Sequence, residues 1–218
     1  MEIRKVQIKT IDYYKQAWKV IKEQYWILFA VCLVGAVLAS FFVLLGPMLC
    51  GIFICFLQAF EGKKVNFESL FKGFNYFLPS LLVVLISSIP LLLMIIAPFL
   101  MIAALSALGF ELAETRGGVI FLGLLFVEFI LALLMVSINT LLVFSFPLMV
   151  NEGLSALEAV LLSSKAVLKN LAGVVKITLV ASLLSLIGQL ACGVGVFFVL
   201  PLIFAVITLA YLKIFLAL

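Results

Sequence analysis

The sequence predicts an all-α polytopic membrane protein. About six transmembrane helices form three hairpins, each preceded by a cytoplasmic amphipathic helix. Three observations predict this. Hydrophobic residues make up 67% of the 218 positions and charged residues 11%. A soluble domain carries about 45–50% and about 25%, so the bilayer has to solvate most of this surface. Long uncharged runs alternate with short polar segments, and mean hydropathy is +1.42. The basic residues sit almost entirely in one set of those polar segments.

Residues 1–24 are expected to form an interfacial helix. At about 100° per residue, Asp12, Lys15, Gln16, Lys19, Lys22 and Glu23 share one arc. Ile11, Tyr13, Tyr14, Ala17, Trp18, Val20 and Ile21 share the other. Lysines opposite Trp and Tyr suit an anionic leaflet. An ordinary helix packed on the protein's own base fits the same pattern. A cleaved signal peptide is not expected, because the first apolar run begins only near Tyr25, after a long charged segment.

Tyr25 to Phe60 carries no charge. As one helix it would be about 54 Å long, beyond a hydrocarbon core of about 30 Å. Gly46-Pro47 is the expected break, giving spans at about 25–45 and 47–60. Glu61–Tyr76 is read as a second surface helix, with Asn66 as N-cap and Phe67, Leu70, Phe71 and Phe74 at i, i+3, i+4, i+7. The next run, 77–110, holds Pro90 and Pro98 and has its span at about 77–97. Its remainder either lies in the outer interface or extends a kinked helix. ELAETRGG (111–118) is the polar loop on the far side. The run 119–150 is interrupted by Glu128, Asn139 and Pro147.

Asn151–Asn170 opens with Ser155-x-x-Glu158, a capping-box spacing. It is read as a third surface helix feeding a span at 171–192. A Gly193-Val194-Gly195 turn and a last span at about 196–216 follow. One integral membrane domain results, made of 1–60, 61–150 and 151–218, each an amphipathic helix plus a hairpin. Of the 14 basic residues, all but Arg116 fall on one side. The positive-inside rule therefore predicts cytoplasmic termini in the plasma (inner) membrane. Val20-Ile21-Lys22, Leu70-Phe71-Lys72 and Val167-Leu168-Lys169 read either as equivalent joints of a threefold internal pseudo-repeat or as the apolar-apolar-Lys pattern that positive-inside composition gives by chance.

Little in the chain carries chemistry. Without histidine there is no Ser/His/Asp set, and no phosphate loop, dinucleotide fingerprint or metal cluster is written in it. No cofactor and no metal are expected. Cys32, Cys50, Cys55 and Cys192 lie in apolar runs and read as packing residues. Glu128 is the acid inside an apolar run, a functional candidate by position, with Gln189 or Arg116 as partner. Counted from Val119 it lies about 13 Å deep; counted back from Met149 as one helix it lies about 31 Å away, at the outer headgroups. Ser137, Asn139, Thr140 and Gln189 are the other intramembrane polar groups, and interhelical hydrogen bonds explain them; Ser137, Asn139, Gln189 and Thr178 are the candidates for a polar path. Gly35-Ala36 with Ala39-Ser40 has small-xxx-small spacing.

PLMVNEGLSALEAVLLSSKAVLKN (147–170), IGQLACGVGVFFVLPL (187–202) with Ala210-Tyr211, GPMLCG (46–51) and LFKGF (70–74) carry a resemblance. The chain resembles a family of uncharacterised prokaryotic six-span integral membrane proteins. That family is similar to the membrane domain fused to some glycerophosphodiester phosphodiesterases. The resemblance implies a polytopic helical fold and brings no catalytic residues, since the phosphodiesterase chemistry belongs to a soluble domain.

The function expected is a non-enzymatic accessory, scaffold or lipid-interacting module. Lys15, Lys19, Lys22, Lys63 and Lys64 would touch anionic headgroups, alongside a protein partner or a second copy; nucleic acid is not an expected partner. The alternative is a small transporter or channel using Glu128.

Overall fold

The structure, a computed structural model, describes residues 3–107, 117–190 and 193–216. Among these, every regular element is helical, and six stretches are long and apolar enough to cross a membrane. Helix α1 (Thr10–Ile21) leads through one 3₁₀ turn (Lys22–Gln24) into α2 (Tyr25–Ala39). Then come α3 (Phe42–Phe60), a 3₁₀ helix (Phe67–Tyr76), α4 (Phe77–Ala107) and α5 (Gly117–Leu141). Short α6 (Ser145–Glu152), α7 (Ala156–Lys169), α8 (Leu171–Leu190) and α9 (Gly195–Phe215) complete the order. The chain divides into two compact units, Met1–Val84 with Thr140–Leu218, and Leu85–Asn139. These cut across the three segments expected from sequence.

In the first unit α3 and α9 are the central helices. α9 packs on α1, α2, α3 and α8, and α3 packs on α2, α6 and the 3₁₀ helix. Met48, Phe56, Phe144, Leu148 and Tyr211 are fully buried there. In lipid, apolar burial gives helices little reason to associate, so close packing and hydrogen bonds must supply it. The glycines show how close the packing is. A Cβ on Gly51 would collide with the Leu70 carbonyl oxygen, and one on Gly73 with that of Pro47. A Cβ on Gly46 would likewise stand 2.7 Å from the Ser80 carbonyl carbon and from its hydroxyl. The GPMLCG and LFKGF motifs therefore meet backbone to backbone.

This contact moves the first hairpin's turn away from Gly46-Pro47. Pro47 lies inside α3 as its sixth residue, where it removes the intrahelical bond to the Val43 carbonyl. Gly46 is a seat for Ser80 rather than a turn residue. The chain reverses at Ser40-Phe41, where the Ser40 hydroxyl donates to the Val37 carbonyl at 2.6 Å. The second span thereby gains length, to 19 residues or about 28 Å, which nearly matches the hydrocarbon core. Gly35 of the small-residue pair does pack closely, against Ile52, while Ala39 and Ser40 enter the turn.

The segment before α4 is also not the α-helix its apolar spacing predicts. It is 3₁₀, whose rows repeat every three residues. Leu70 and Gly73 are buried on one row, while Phe71 and Phe74 stand exposed on another. The N-cap reading holds: the Asn66 side chain accepts from the Glu68 N–H at 3.1 Å. The three surface elements thus differ locally, as one is 3₁₀ and two are α-helical.

The third surface helix starts as its sequence implies. The Glu158 carboxylate accepts from the Ser155 N–H at 3.1 Å and from its hydroxyl at 2.6 Å. Upstream, α6 ends on Gly153 at φ +66°, a left-handed position that favours glycine. The α8–α9 turn forms at the expected glycines, with Gly193 at φ +75°.

In the second unit, α4 continues through both Pro90 and Pro98 to Ala107, so the remainder of that run extends the helix. The break after α5 falls at residues 142–144, and Pro147 sits in the first turn of α6, where proline is tolerated. Leu91, Leu92, Phe99, Phe121 and Phe126 present exposed apolar surface. Arg116 and Cys192, and most of the predicted 111–118 loop, lie outside the described residues.

Gly51→Ala is expected to destabilise the protein by about 1–3 kcal/mol or more, through overpacking against a backbone that cannot yield. Gly123→Ala, where a Cβ meets nothing within 4 Å, should be neutral or stabilising by up to about 1 kcal/mol. Unfolding midpoints in detergent, read for both variants, check the pair.

Candidate functional site

The expected headgroup lysines gather around the joint between α1 and α2. On α1, Tyr13, Ala17 and Ile21 are buried, while Lys15 and Lys19, and Lys22 in the 3₁₀ turn that follows, are exposed. The helix does pack on the protein's own base: Lys213 of α9 donates to the Gln16 side chain at 2.5 Å and lies 4.4 Å from the Tyr13 ring centre. It also keeps a second, outward apolar side, with Ile11 72% and Trp18 46% exposed. Of the two alternatives the pattern allows, packing on the protein's own base is therefore present on this helix.

Gln24 brings the second pair of lysines to this joint. Its amide donates to the Lys63 carbonyl at 3.0 Å and its oxygen accepts from the Val65 N–H at 2.7 Å. The loop holding Lys63 and Lys64 is thereby clamped beside Lys22. Lys63 is partly spent, since its ammonium pairs with Glu61 at 2.5 Å; an exposed pair of this kind contributes little to stability. Trp18, Tyr25, Trp26, Phe29 and Phe198 form a chain of ring contacts at 4.8–6.4 Å. The Tyr25 hydroxyl donates to the Phe198 carbonyl at 2.8 Å. Amphipathic aromatics next to lysines are the composition of a headgroup-level belt.

The intramembrane candidates are divided between the units. Glu128 and Asn139 belong to the second unit, and Gln189 to the first. Glu128 is near the middle of α5, about 17 Å from its start and about 20 Å from its end. Because the helix ends at Leu141, counting back from Met149 as one helix does not apply. One Glu128 carboxylate oxygen is enclosed without a hydrogen-bond partner. Asn139 and Ser137 donate to their own helix, at the Met135 and Leu133 carbonyls.

Gln189 and Thr178 line a cleft of about 480 Å³ with Ser182 and Ser185. Those two serines were not singled out from sequence. The signal is present, since 178, 182, 185 and 189 follow one face of a helix. A second pocket, of about 340 Å³, is lined by Gln58, Lys72, Asn75, Tyr76 and Asn151 among others. The Gln58 amide donates to Ser69 at 3.0 Å, and its oxygen is buried without a partner.

Asn170 is the most connected polar side chain that sequence reasoning passed over. It is buried, and its oxygen accepts from the Val6 N–H at 2.8 Å. Its amide donates to the Arg4 carbonyl at 2.9 Å and the Ala166 carbonyl at 3.1 Å. The Lys169 ammonium donates to the Ile3 carbonyl at 2.6 Å, and Gly173 leaves room for Ile8. The extended segment 3–9 is thereby tied across the α7–α8 joint.

Among the described residues, no group of three or more Cys, Asp or Glu is placed to hold a metal ion. The chain matches no family model, no curated protein and no solved structure.

Two outcomes follow. Asn170→Ala removes the acceptor of the Val6 N–H and should cost about 1–3 kcal/mol; hydrogen exchange would show residues 3–9 losing protection before the core does. The two Ser155 hydrogen bonds hold the Glu158 carboxyl below the usual carboxylate range. A depressed folded value means the cap is fully present above the unfolded value and is lost as pH falls through the folded one. Protection factors at 156–160, taken relative to the intrinsic exchange rate at each pH, should therefore fall on acidification in wild type, and Glu158→Gln should flatten that dependence.

Proposed function

We propose that this chain is a non-enzymatic integral membrane module that holds anionic lipid at its basic end, serving as an accessory or scaffold. The observation that carries the reading is the rim at the α1–α2 joint. There Lys15, Lys19, Lys22 and Lys64 are exposed next to Trp18 and Trp26. Juxtamembrane lysines gain about 1 kcal/mol each near an anionic leaflet, and tryptophan favours headgroup level. The plasma (inner) membrane and cytoplasmic termini belong to this proposal, through the positive-inside rule. So does the resemblance to the six-span family, and so does a protein partner or second copy.

One observation favours a second reading, a transporter or channel: the enclosed, unpartnered carboxylate oxygen of Glu128 midway along α5. An intramembrane acid is costly to keep without a task.

The experiment is native mass spectrometry of the full chain released from bilayers containing phosphatidylglycerol. Wild type should retain that lipid, and Lys15→Gln/Lys19→Gln/Lys22→Gln/Lys64→Gln should retain markedly less. Equal retention by both, or none by wild type, contradicts the reading. Proteoliposome flux that disappears in Glu128→Gln would establish the transport reading in its place.

A further inference from the structure

A cavity of about 620 Å³ opens at the α7–α8 joint, away from the rim residues described above. Its wall is built by the N-terminal segment (Lys5, Val6, Gln7, Ile8), the end of α7 and the first turns of α8. Every charged residue among those lining it is a lysine: Lys5, Lys169 and Lys176. One comes from each of the three elements. Three ammonium groups around one cavity repel one another unless an anion sits between them.

The geometry that assembles them is fixed. Asn170 binds the Val6 N–H and the Arg4 carbonyl, which places Lys5 beside the joint. Lys169 uses one of its three donors on the Ile3 carbonyl, which leaves two for a ligand. Lys176 enters from α8, five residues and about 8 Å past the helix start. The Asn170 side chain, at the residue before α8, is spent on segment 3–9. Leu171, Ala172 and Gly173 line the cavity, and the positive end of the α8 dipole adds to the potential there.

The rim is apolar. Leu168 is 62% exposed and Leu171 47%. Cations at two depths within an apolar rim match an amphiphile, whose phosphate lies at headgroup level and whose chains lie alongside α8. We propose that Lys5, Lys169 and Lys176 form a phosphate site, occupied by the phosphodiester of an anionic lipid. This deepens the lipid-holding function and rests on it, but uses residues distinct from the α1–α2 rim.

The test compares three proteins in detergent, wild type, Lys5→Gln/Lys176→Gln and Lys5→Arg/Lys176→Arg, with the rim variant Lys15→Gln/Lys19→Gln/Lys22→Gln/Lys64→Gln as a control. Lys169 is left in place because it holds segment 3–9. Each is titrated with short-chain phosphatidylglycerol, with the uncharged diacylglycerol of the same chains, and with inorganic phosphate. Wild type should bind phosphatidylglycerol in preference to diacylglycerol. The Gln pair should lose roughly 30-fold in affinity, as expected for two lysines at about 1 kcal/mol each. The Arg pair should keep binding, and unfolding midpoints should agree across all three.

Saturable binding of inorganic phosphate alone, lost in the Gln pair, would keep the lysine site but overturn the lipid as its source. Phosphatidylglycerol bound equally by wild type and the Gln pair, yet lost in the rim variant, would overturn this site and leave the lipid-holding reading standing. No anion bound by wild type overturns both.

Discussion

The fold depends on backbones approaching more closely than side chains ordinarily permit. At the α3 contact with the 3₁₀ helix, Gly51 meets the Leu70 carbonyl and Gly73 meets the Pro47 carbonyl. Inside a bilayer, lipid tails are as apolar as leucine, so burying more leucine gives helices no reason to associate. What remains is dispersion between tightly fitted surfaces and the completion of polar groups. α3 supplies both: a glycine-lined seat for the 3₁₀ helix and, through Gly46, for Ser80 at the start of α4. The hairpin turn at Ser40-Phe41 follows from this, because Gly46-Pro47 cannot be both a turn and a packing surface.

Polar closure is the second half of the same constraint. Gln24 binds the 63–65 loop and Asn170 binds the N-terminal segment. Ser163 accepts from the Phe144 N–H and donates to the Leu141 carbonyl, which bridges the break between α5 and α6. Each of these side chains serves backbone groups at a point where regular helix stops. Unsatisfied backbone at such breaks is costly near lipid, so the joints between helices are where specific polar residues are required. They also assemble the lysines. The residues that close the backbone at the α1–α2 and α7–α8 joints are the ones that bring cations from separate elements together.

Much of this was legible in the sequence and some was not, for identifiable reasons. Hydropathy and lysine placement announced the six spans because length and polarity are all that a bilayer demands of a helix. The Asn66 and Ser155 caps were legible because they act within a few residues. The Gly46-Pro47 turn was misjudged because proline and glycine signal both breaks and close contacts, and only the partner surface distinguishes them. The 3₁₀ form of 67–76 was hidden because i, i+3 pairs such as Phe67–Leu70 and Phe71–Phe74 suit either kind of helix. Asn170 escaped notice because its partners, Arg4 and Val6, lie at the other end of the chain. Several of the motifs singled out from sequence are packing joints: GPMLCG against LFKGF, the Lys169-Asn170 pair on the N-terminal segment, and Gly188 against the start of α9. Such motifs specify how helices meet, which is why they convey architecture and no reaction.

Close backbone contact fixes the joints, the joints gather lysines, and we propose that those lysines hold lipid phosphate. The most direct measurement of that chain of causes is an experimental structure of the protein in nanodiscs containing phosphatidylglycerol. The account predicts a headgroup phosphate within hydrogen-bond distance of Lys5, Lys169 and Lys176, with Asn170 still bonded to Val6 and Arg4. A cavity closed by its own side chains, or segment 3–9 detached from Asn170 while lipid remains bound elsewhere, would contradict it.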